Sequence, residues 1–352
     1  MKKSASFPWT GTAGLAVGVL LIGWLFSQLD LKRSADLISS IGVSSVTILL
    51  PFFALHLLET LAWIKVFPRS IAFISFLPLL KIQVITETVS MTLPAGVAVG
   101  EPLRPFLCNR FMGIPVPPAV ASVALRKLLL GLAQGIYTII GSLLGFSLLQ
   151  TLSPELLGFS GLGYMMVASG VVIFLLFYGL LVLLLDGKAA QSLHAFLMRV
   201  PFERLRSWLL EMESGFHETD AELKSYEGLR IGMLLPVLLL YLMAWSTLAI
   251  ESFIILQLLG VDISFYQVLT LDIALTMLRT LFFFIPSGLG VQDIGYLACF
   301  KVIGVSDPVV VGGAFVLLRR LKELCWYAVG YLVMFLSGVH LRDVDGVQSE
   351  PS

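Results

Sequence analysis

The sequence predicts an all-α polytopic membrane protein, with about eight transmembrane helices in two structural repeats, each holding a Pro/Gly-broken re-entrant element. Three observations lead there. Of 352 residues, 57% are hydrophobic and 13% charged, and the mean hydropathy is +0.93; several apolar runs are long enough to cross a bilayer. Next, Pro286-Ser-Gly-Leu-Gly-Val-Gln-Asp293 directly follows the apolar run Leu281–Ile285. Irregular backbone at membrane depth persists only where it is buried in protein or lines a wet cavity. Finally, Pro94-Ala-Gly-Val-Ala-Val-Gly-Glu101 has the same layout: Pro, Gly two on, Val five on, a carboxylate seven on. Gly113 with Gly304, Pro117 with Pro308, and Arg126-Lys127 with Arg319-Arg320 continue the match at an offset of 191 to 193. Interrupted hydrophobic segments at corresponding places in two halves point to a transporter's binding site.

Composition narrows the function classes. A net charge of zero argues against a nucleic-acid partner. Cys108, Cys299 and Cys325 sit in or beside apolar segments without metal spacing, and the four histidines form no ligand pattern. No metal, cofactor or nucleotide site is expected. No Ser–His, His–Asp or metal cluster suggests an enzyme.

Taken in order, Met1-Lys-Lys precedes an apolar run from about Trp9 to Leu29. The run is too long for a signal peptide and is read as the first span. Leu31–Ile38 has the spacing of a short amphipathic interfacial helix. Spans follow at about Val46–Ile64, with Glu59 inside, and at Ile71–Leu93, which leads into the first motif. Residues 94–112 are polar and broken and are read as re-entrant. A span from Pro117 to Leu149 exceeds a crossing of about 20 residues; the next covers Tyr164–Leu185. Residues 186–229 form an amphipathic connector, with apolar residues from Leu193 to Leu209 at helical spacing and an acidic stretch after Glu211. Spans at Ile231–Leu259 and Val268–Ile285, a second re-entrant element over 286–303 and a last span at Val309–Leu336 complete a single membrane domain over 1–350. Repeat A covers about 71–149 and repeat B about 265–338. The tail after Val339 is polar. Met1-Lys-Lys favours a cytoplasmic N-terminus, whereas the basic residues of the connector oppose it.

Charges within apolar runs mark the candidate site, because a charge at the bilayer centre costs at least about 2.5–3.5 kcal/mol. The candidates are Glu101, Arg104, Arg126 and Lys127 in the first repeat and Asp293, Arg319 and Arg320 in the second, with Asp272 and Glu251 behind them. Glu87 and Arg279 each lie seven residues before the motif proline with opposite sign, and are expected to pair across the repeat interface. Arginine binds phosphate bidentately, and N–H groups at broken helix ends favour anions. Pro94, Gly96, Gly100, Pro286, Gly288 and Gly290 supply the motif backbone, through close approach or unusual dihedrals. Mutual neutralisation of charges and close helix packing are the plainer alternatives. Phe282, Phe283, Phe284 and Trp326 are read as lipid-facing or packing groups rather than ligands.

At these motifs the sequence resembles the lysylphosphatidylglycerol synthase/flippase transmembrane family, which includes flippase-like proteins of hopanoid gene clusters. Pro94…Gly100-Glu101-Pro-Leu-Arg104 resembles its Gly-Glu-x-x-Arg region, and Pro286–Asp293 resembles its P-G-G-L-G-V-x-E signature. The likeness covers roughly residues 10–340. Asp293 replaces the usual Glu, and Ala98 and Val99 replace a more polar stretch. The resemblance implies an inner-membrane protein that moves a phospholipid or related polar lipid between leaflets. Glu101 and Asp293 would take a cationic group or protons, and Arg104, Arg126 and Arg319 a phosphate. The soluble aminoacyl-transferase domain of some members is not seen before Ser352, so synthase activity is not carried over. Expected partners are membrane lipids; a second copy of the chain and lipid-biosynthesis proteins are candidates. A non-transporting partner of an envelope-lipid pathway and an intramembrane lipid-modifying enzyme are the alternatives.

Overall fold

A computed structural model of the protein describes residues 9–93, 96–186, 190–191, 194–195, 198, 213–226, 231–281, 285 and 288–339. Every regular element among them is a helix, as expected where lipid offers no hydrogen-bond partner to a backbone group. In order these are α1 Trp9–Gln28, α2 Leu31–Ile41, a 3-10 segment Gly42–Leu49, α3 Leu50–Ile64, α4 Phe76–Thr92, α5 Gly96–Met112, α6 Val116–Leu144, α7 Phe146–Leu157, α8 Leu162–Leu185, α9 Glu213–Lys224, α10 Ile231–Leu258, α11 Phe265–Leu281, α12 Val291–Val302 and α13 Pro308–Leu336. Met1-Lys-Lys, most of the connector (Leu193, Phe196, Leu197, Val200, Leu205, Trp208 and Leu209 included), Pro94, Phe282–Phe284, Pro286 and the tail lie outside the described residues.

Several expected boundaries move for local reasons. Residues 96–112 form one continuous helix despite Pro102 and Pro105. The expected span over Pro117–Leu149 is instead a 29-residue helix that stops at Gly145. A β-carbon at Gly145 would lie 2.2 Å from Thr270 Oγ1, so the chain bends there against α11. The amphipathic helix is present as α2, with Asp30 accepting a hydrogen bond from the Arg33 amide at 3.1 Å. It docks on α13 through Ser34, whose hydroxyl donates to the Val310 carbonyl at 3.0 Å.

By length and composition, four stretches among the described residues can cross a membrane: Leu31–Ile64, Val116–Leu144, Leu162–Leu185 and Leu234–Leu258. That is fewer than eight. At 17 residues each, α4 and α11 are about 25 Å long against a hydrocarbon core of about 30 Å. Helix α13 has 29 residues but carries Arg319, Arg320, Lys322 and Glu323 along its length.

The packing that positions the site is reciprocal. Helices α4 and α5 run antiparallel: Gln83 meets Arg104, and Gly100 lies against Ser90 and Thr86. Helices α11 and α12 do the same, with Asp272 meeting Tyr296 and Gly295 lying against Leu275. Helix α6 then packs on α11, with Gln134 Nε2 donating to Thr280 Oγ1 at 3.2 Å. Helix α13 packs on α4, where Thr92 Oγ1 and Tyr331 OH are 2.5 Å apart and Gly330 seats Thr88. So the 29-residue helix of each half lies on the 17-residue helix of the other. One apolar core gathers Trp63, Leu79, Ile85, Leu103 and Leu125. A second gathers Leu25, Ile255, Val268, Phe300 and Phe315.

Close helix approach supplies a test of this packing. A β-carbon at Gly135 in α6 would sit 2.7 Å from the backbone nitrogen of Phe174 in α8, whereas one at Gly179 meets nothing within 4 Å. Backbone cannot yield as a side-chain tip can. Gly135→Ala is expected to destabilise the protein by about 1–3 kcal/mol. Gly179→Ala should be neutral or stabilising by up to about 1 kcal/mol. Thermal unfolding in detergent measures both; equal midpoints would contradict the α6–α8 packing.

Candidate functional site

The charged residues collect into two clusters. The first lies among α3, α4, α5 and α6, around two guanidinium groups that are almost wholly buried, Arg104 and Arg126. Arg104 donates from Nε to Glu101 Oε2 at 3.1 Å and from Nη1 to Gln83 Oε1 at 2.6 Å. Its Nη2 lies 3.6 Å from Glu87. Arg126 donates to Glu59 Oε2 at 2.6 Å and to Gln83 Oε1 at 3.1 Å. Both arginines lie near the Trp63 ring, at 5.3 and 5.5 Å from its centroid. Lys127, 46% exposed, reaches in to Glu101 at 2.8 Å. Carboxylates from three helices thus face three cations from two.

The second cluster lies among α10, α11, α12 and α13. Asp293, buried, pairs with Arg320, which also donates to Glu323 at 2.6 Å. Arg319 donates to Gln292 Oε1 at 3.1 Å, and its guanidinium carbon sits 5.1 Å from the centre of the Tyr296 ring. Tyr296 in turn donates to Asp272 at 2.9 Å. Lys322 and Glu251, both buried, are 2.9 Å apart. Lys322 also lies over the Phe52 ring at 4.5 Å.

The structure therefore brings Glu87, Glu101, Arg104, Arg126 and Lys127 together in one cluster, and Asp293, Arg319 and Arg320 in the other. The expected Glu87–Arg279 pair is not formed. The α4–α5 hairpin closes Arg104 onto Glu87 first, while Arg279 donates to Met91 Sδ at 3.3 Å and covers Gly288. Arg279 still bridges the halves, since Met91 belongs to α4. A second expectation also changes. The N-terminus of α12 is not open to an anion throughout, because Asp293 accepts from the Gly290 amide at 3.0 Å. Gly288 and Gly290 adopt φ of 61° and 78°, the left-handed region that favours glycine. Gly290 also lets α1 approach, since a β-carbon there would lie 2.4 Å from Leu21 Cβ. Gly96 and Gly100 are helical instead. Trp326 packs in an aromatic group with Phe52, Phe53 and His56, the packing role read from sequence.

Glu59 and Gln83, which bind Arg126 directly, and Tyr296 and Gln292 were not among the expected site residues. One signal for Glu59 lay in the numbering. Glu59 and Glu251 are 192 residues apart, within the offset of the motifs, and each carries the carboxylate that meets a buried cation from the long helix of its half.

The family model described as the lysylphosphatidylglycerol synthase TM region matches residues 11–330 of the chain. No curated protein and no solved structure matches it.

Removing one partner of a buried ion pair leaves the other uncompensated. Glu59→Ala should therefore cost about 3–5 kcal/mol of stability. Lys127→Ala, at a half-exposed cation, should cost no more than about 1 kcal/mol. Detergent melts of the two variants should differ clearly in midpoint; similar small shifts would mean that Glu59 is not what compensates Arg126.

Proposed function

Because the chain belongs to the family of the lysylphosphatidylglycerol synthase transmembrane region, we propose that it moves a phospholipid or related polar lipid between the leaflets of the inner membrane. The observation that carries this reading is the pair of buried charge clusters at corresponding positions in two halves of an apolar helical chain. Charges inside a membrane protein are costly and mark substrate or ion pathways. Here they include four arginines, the side chain best matched to a phosphate.

In this reading the chain is a multi-pass protein of two repeats. The α4–α5 and α11–α12 hairpins are the re-entrant elements, each leg being too short for an upright crossing of its own. A lipid headgroup enters the polar region between the halves, with its acyl tails left in the bilayer. Arg104, Arg126 and Arg320 exchange carboxylate partners for phosphate, Arg319 adds an N–H that no carboxylate holds, and the released Glu101 and Asp293 take up a cationic group or protons. The protein provides passage rather than bond chemistry, so it is not an enzyme here, needs no cofactor, and has membrane lipids as its partners. A second reading, a non-transporting partner in an envelope-lipid pathway, draws on the first cluster, where nearly every polar end already has a protein partner.

Reconstitution with a panel of fluorescent lipids tests the proposal. Leaflet exchange should accelerate for at least one polar lipid, and Asp293→Asn and Glu101→Gln should lower its rate by at least about tenfold, on the order of 1.4 kcal/mol in the barrier, while the melting profile stays cooperative. No acceleration for any lipid would overturn transport, and release of a modified lipid would favour an enzyme.

A further inference from the structure

The two clusters differ in how completely the protein satisfies them. In the first, Glu59, Gln83, Glu101 and Arg104 are hydrogen-bonded to one another or to neighbours, and Arg126 Nε is the one buried atom of its charged groups without a hydrogen-bond partner among the described residues. In and beside the second, the buried polar atoms without a hydrogen-bond partner among the described residues include Asp272 Oδ2, Arg319 Nη1 and the Tyr137 hydroxyl. All three residues are more than nine-tenths buried. Tyr296 ties them to one place. Its hydroxyl donates to Asp272 Oδ1 at 2.9 Å, it lies 3.1 Å from Ser252 Oγ, and its ring underlies Arg319. Tyr137 packs with Ile273 and Met277, which follow Asp272 along α11, and lies within electrostatic reach of Asp272 and Tyr296. A buried polar atom left unmatched costs about 1–3 kcal/mol, and unmatched native groups point to a ligand, an ion or a functional role.

We propose that Asp272 is a proton-binding site that controls access of an anionic headgroup to Arg319. The inference rests on the translocation reading above and adds its coupling. Asp272 and Arg319 are not within ion-pair distance, so Asp272 holds a free oxygen while Arg319 keeps a free N–H. Deprotonated, Asp272 sets a negative charge beside the guanidinium and opposes a phosphate there. A proton taken from water onto Oδ2 removes that charge and leaves Arg319 to bind the anion; the proton returns to water when the anion leaves. The groups facing Asp272 fit this role. Helix α10 presents Glu251 and the Ser252 hydroxyl, α12 Tyr296, α13 Arg319, α6 Tyr137 and its own helix Arg279. The charged residue of α7, Glu155, is exposed. Two cations and one other carboxylate thus surround the site, so its charge state decides the local balance.

Proton binding and transport are measured separately. Infrared difference titration of the protein in anionic-lipid membranes between about pH 5 and 9 should show a buried carboxylic-acid band that shifts in Asp272→Glu and is absent in Asp272→Asn. Exchange of a fluorescent phosphatidylglycerol by the wild type should be fastest at acid pH and fall by up to tenfold per pH unit above the midpoint, the limit for one proton. Asp272→Asn should exchange with no pH dependence, and Asp272→Glu should restore the dependence with a moved midpoint. A band that persists in Asp272→Asn, no titrating band in the wild type, or a wild-type pH profile in Asp272→Asn overturns the proposal. If the band titrates at Asp272 but no lipid moves at any pH, the proton site stands and the transport reading fails.

Discussion

A guanidinium surrounded by apolar helices persists only if carboxylates and amides reach it from other helices, and that requirement organises this protein. Arg126 alone ties α6 to α3 through Glu59 and to α4 through Gln83, and Arg104 ties α5 to the same glutamine. In the other half Arg320 ties α13 to α12 through Asp293, and Lys322 ties it to α10 through Glu251. Desolvating each ion costs several kcal/mol, and attraction to a partner repays it only with good geometry and additional hydrogen bonds. The short antiparallel hairpins supply that geometry by bringing polar side chains of two adjoining helices to one depth.

The apolar packing then lets the two clusters belong to one body. Glycine at 141, 145 and 330 admits Ile273, Thr270 and Thr88, so α6 lies on α11 and α13 on α4. Each half's longest helix therefore braces the other half's short one. The polar seam between them includes Gln134 with Thr280, Thr92 with Tyr331, and Arg279 with Met91. Water can satisfy the polar groups of such a seam if the halves part, which suits the headgroup passage proposed above.

Much of this was legible in the chain itself. The paired Pro/Gly motifs, the constant offset and the charges in step with it singled out Glu101, Arg104, Arg126, Asp293, Arg319 and Arg320, and the structure gathers these side chains into two polar clusters. What escaped were relations set by tertiary closure. Glu59 meets Arg126 across 67 residues, and no local pattern encodes that; only its 192-residue spacing from Glu251 hints at it. The Glu87–Arg279 pair failed because a hairpin partner lay closer to Glu87 than one across the interface. Residues 94–112 looked broken because of their prolines and polar groups, yet 96–112 are helical, with Arg104 answered by α4 and Glu101 by α6. The break at Gly145 depends on Thr270, again a residue from the opposite half.

If the buried charges are kept for passage rather than for holding the helices together, an apolar pair of similar size should replace one set without loss of fold. The direct measurement is Glu59→Met with Arg126→Met in one protein, scored for both melting temperature and leaflet exchange. The account predicts a midpoint near or above that of the wild type and exchange reduced to the background of empty vesicles. A double variant that moves lipid at the wild-type rate would contradict it.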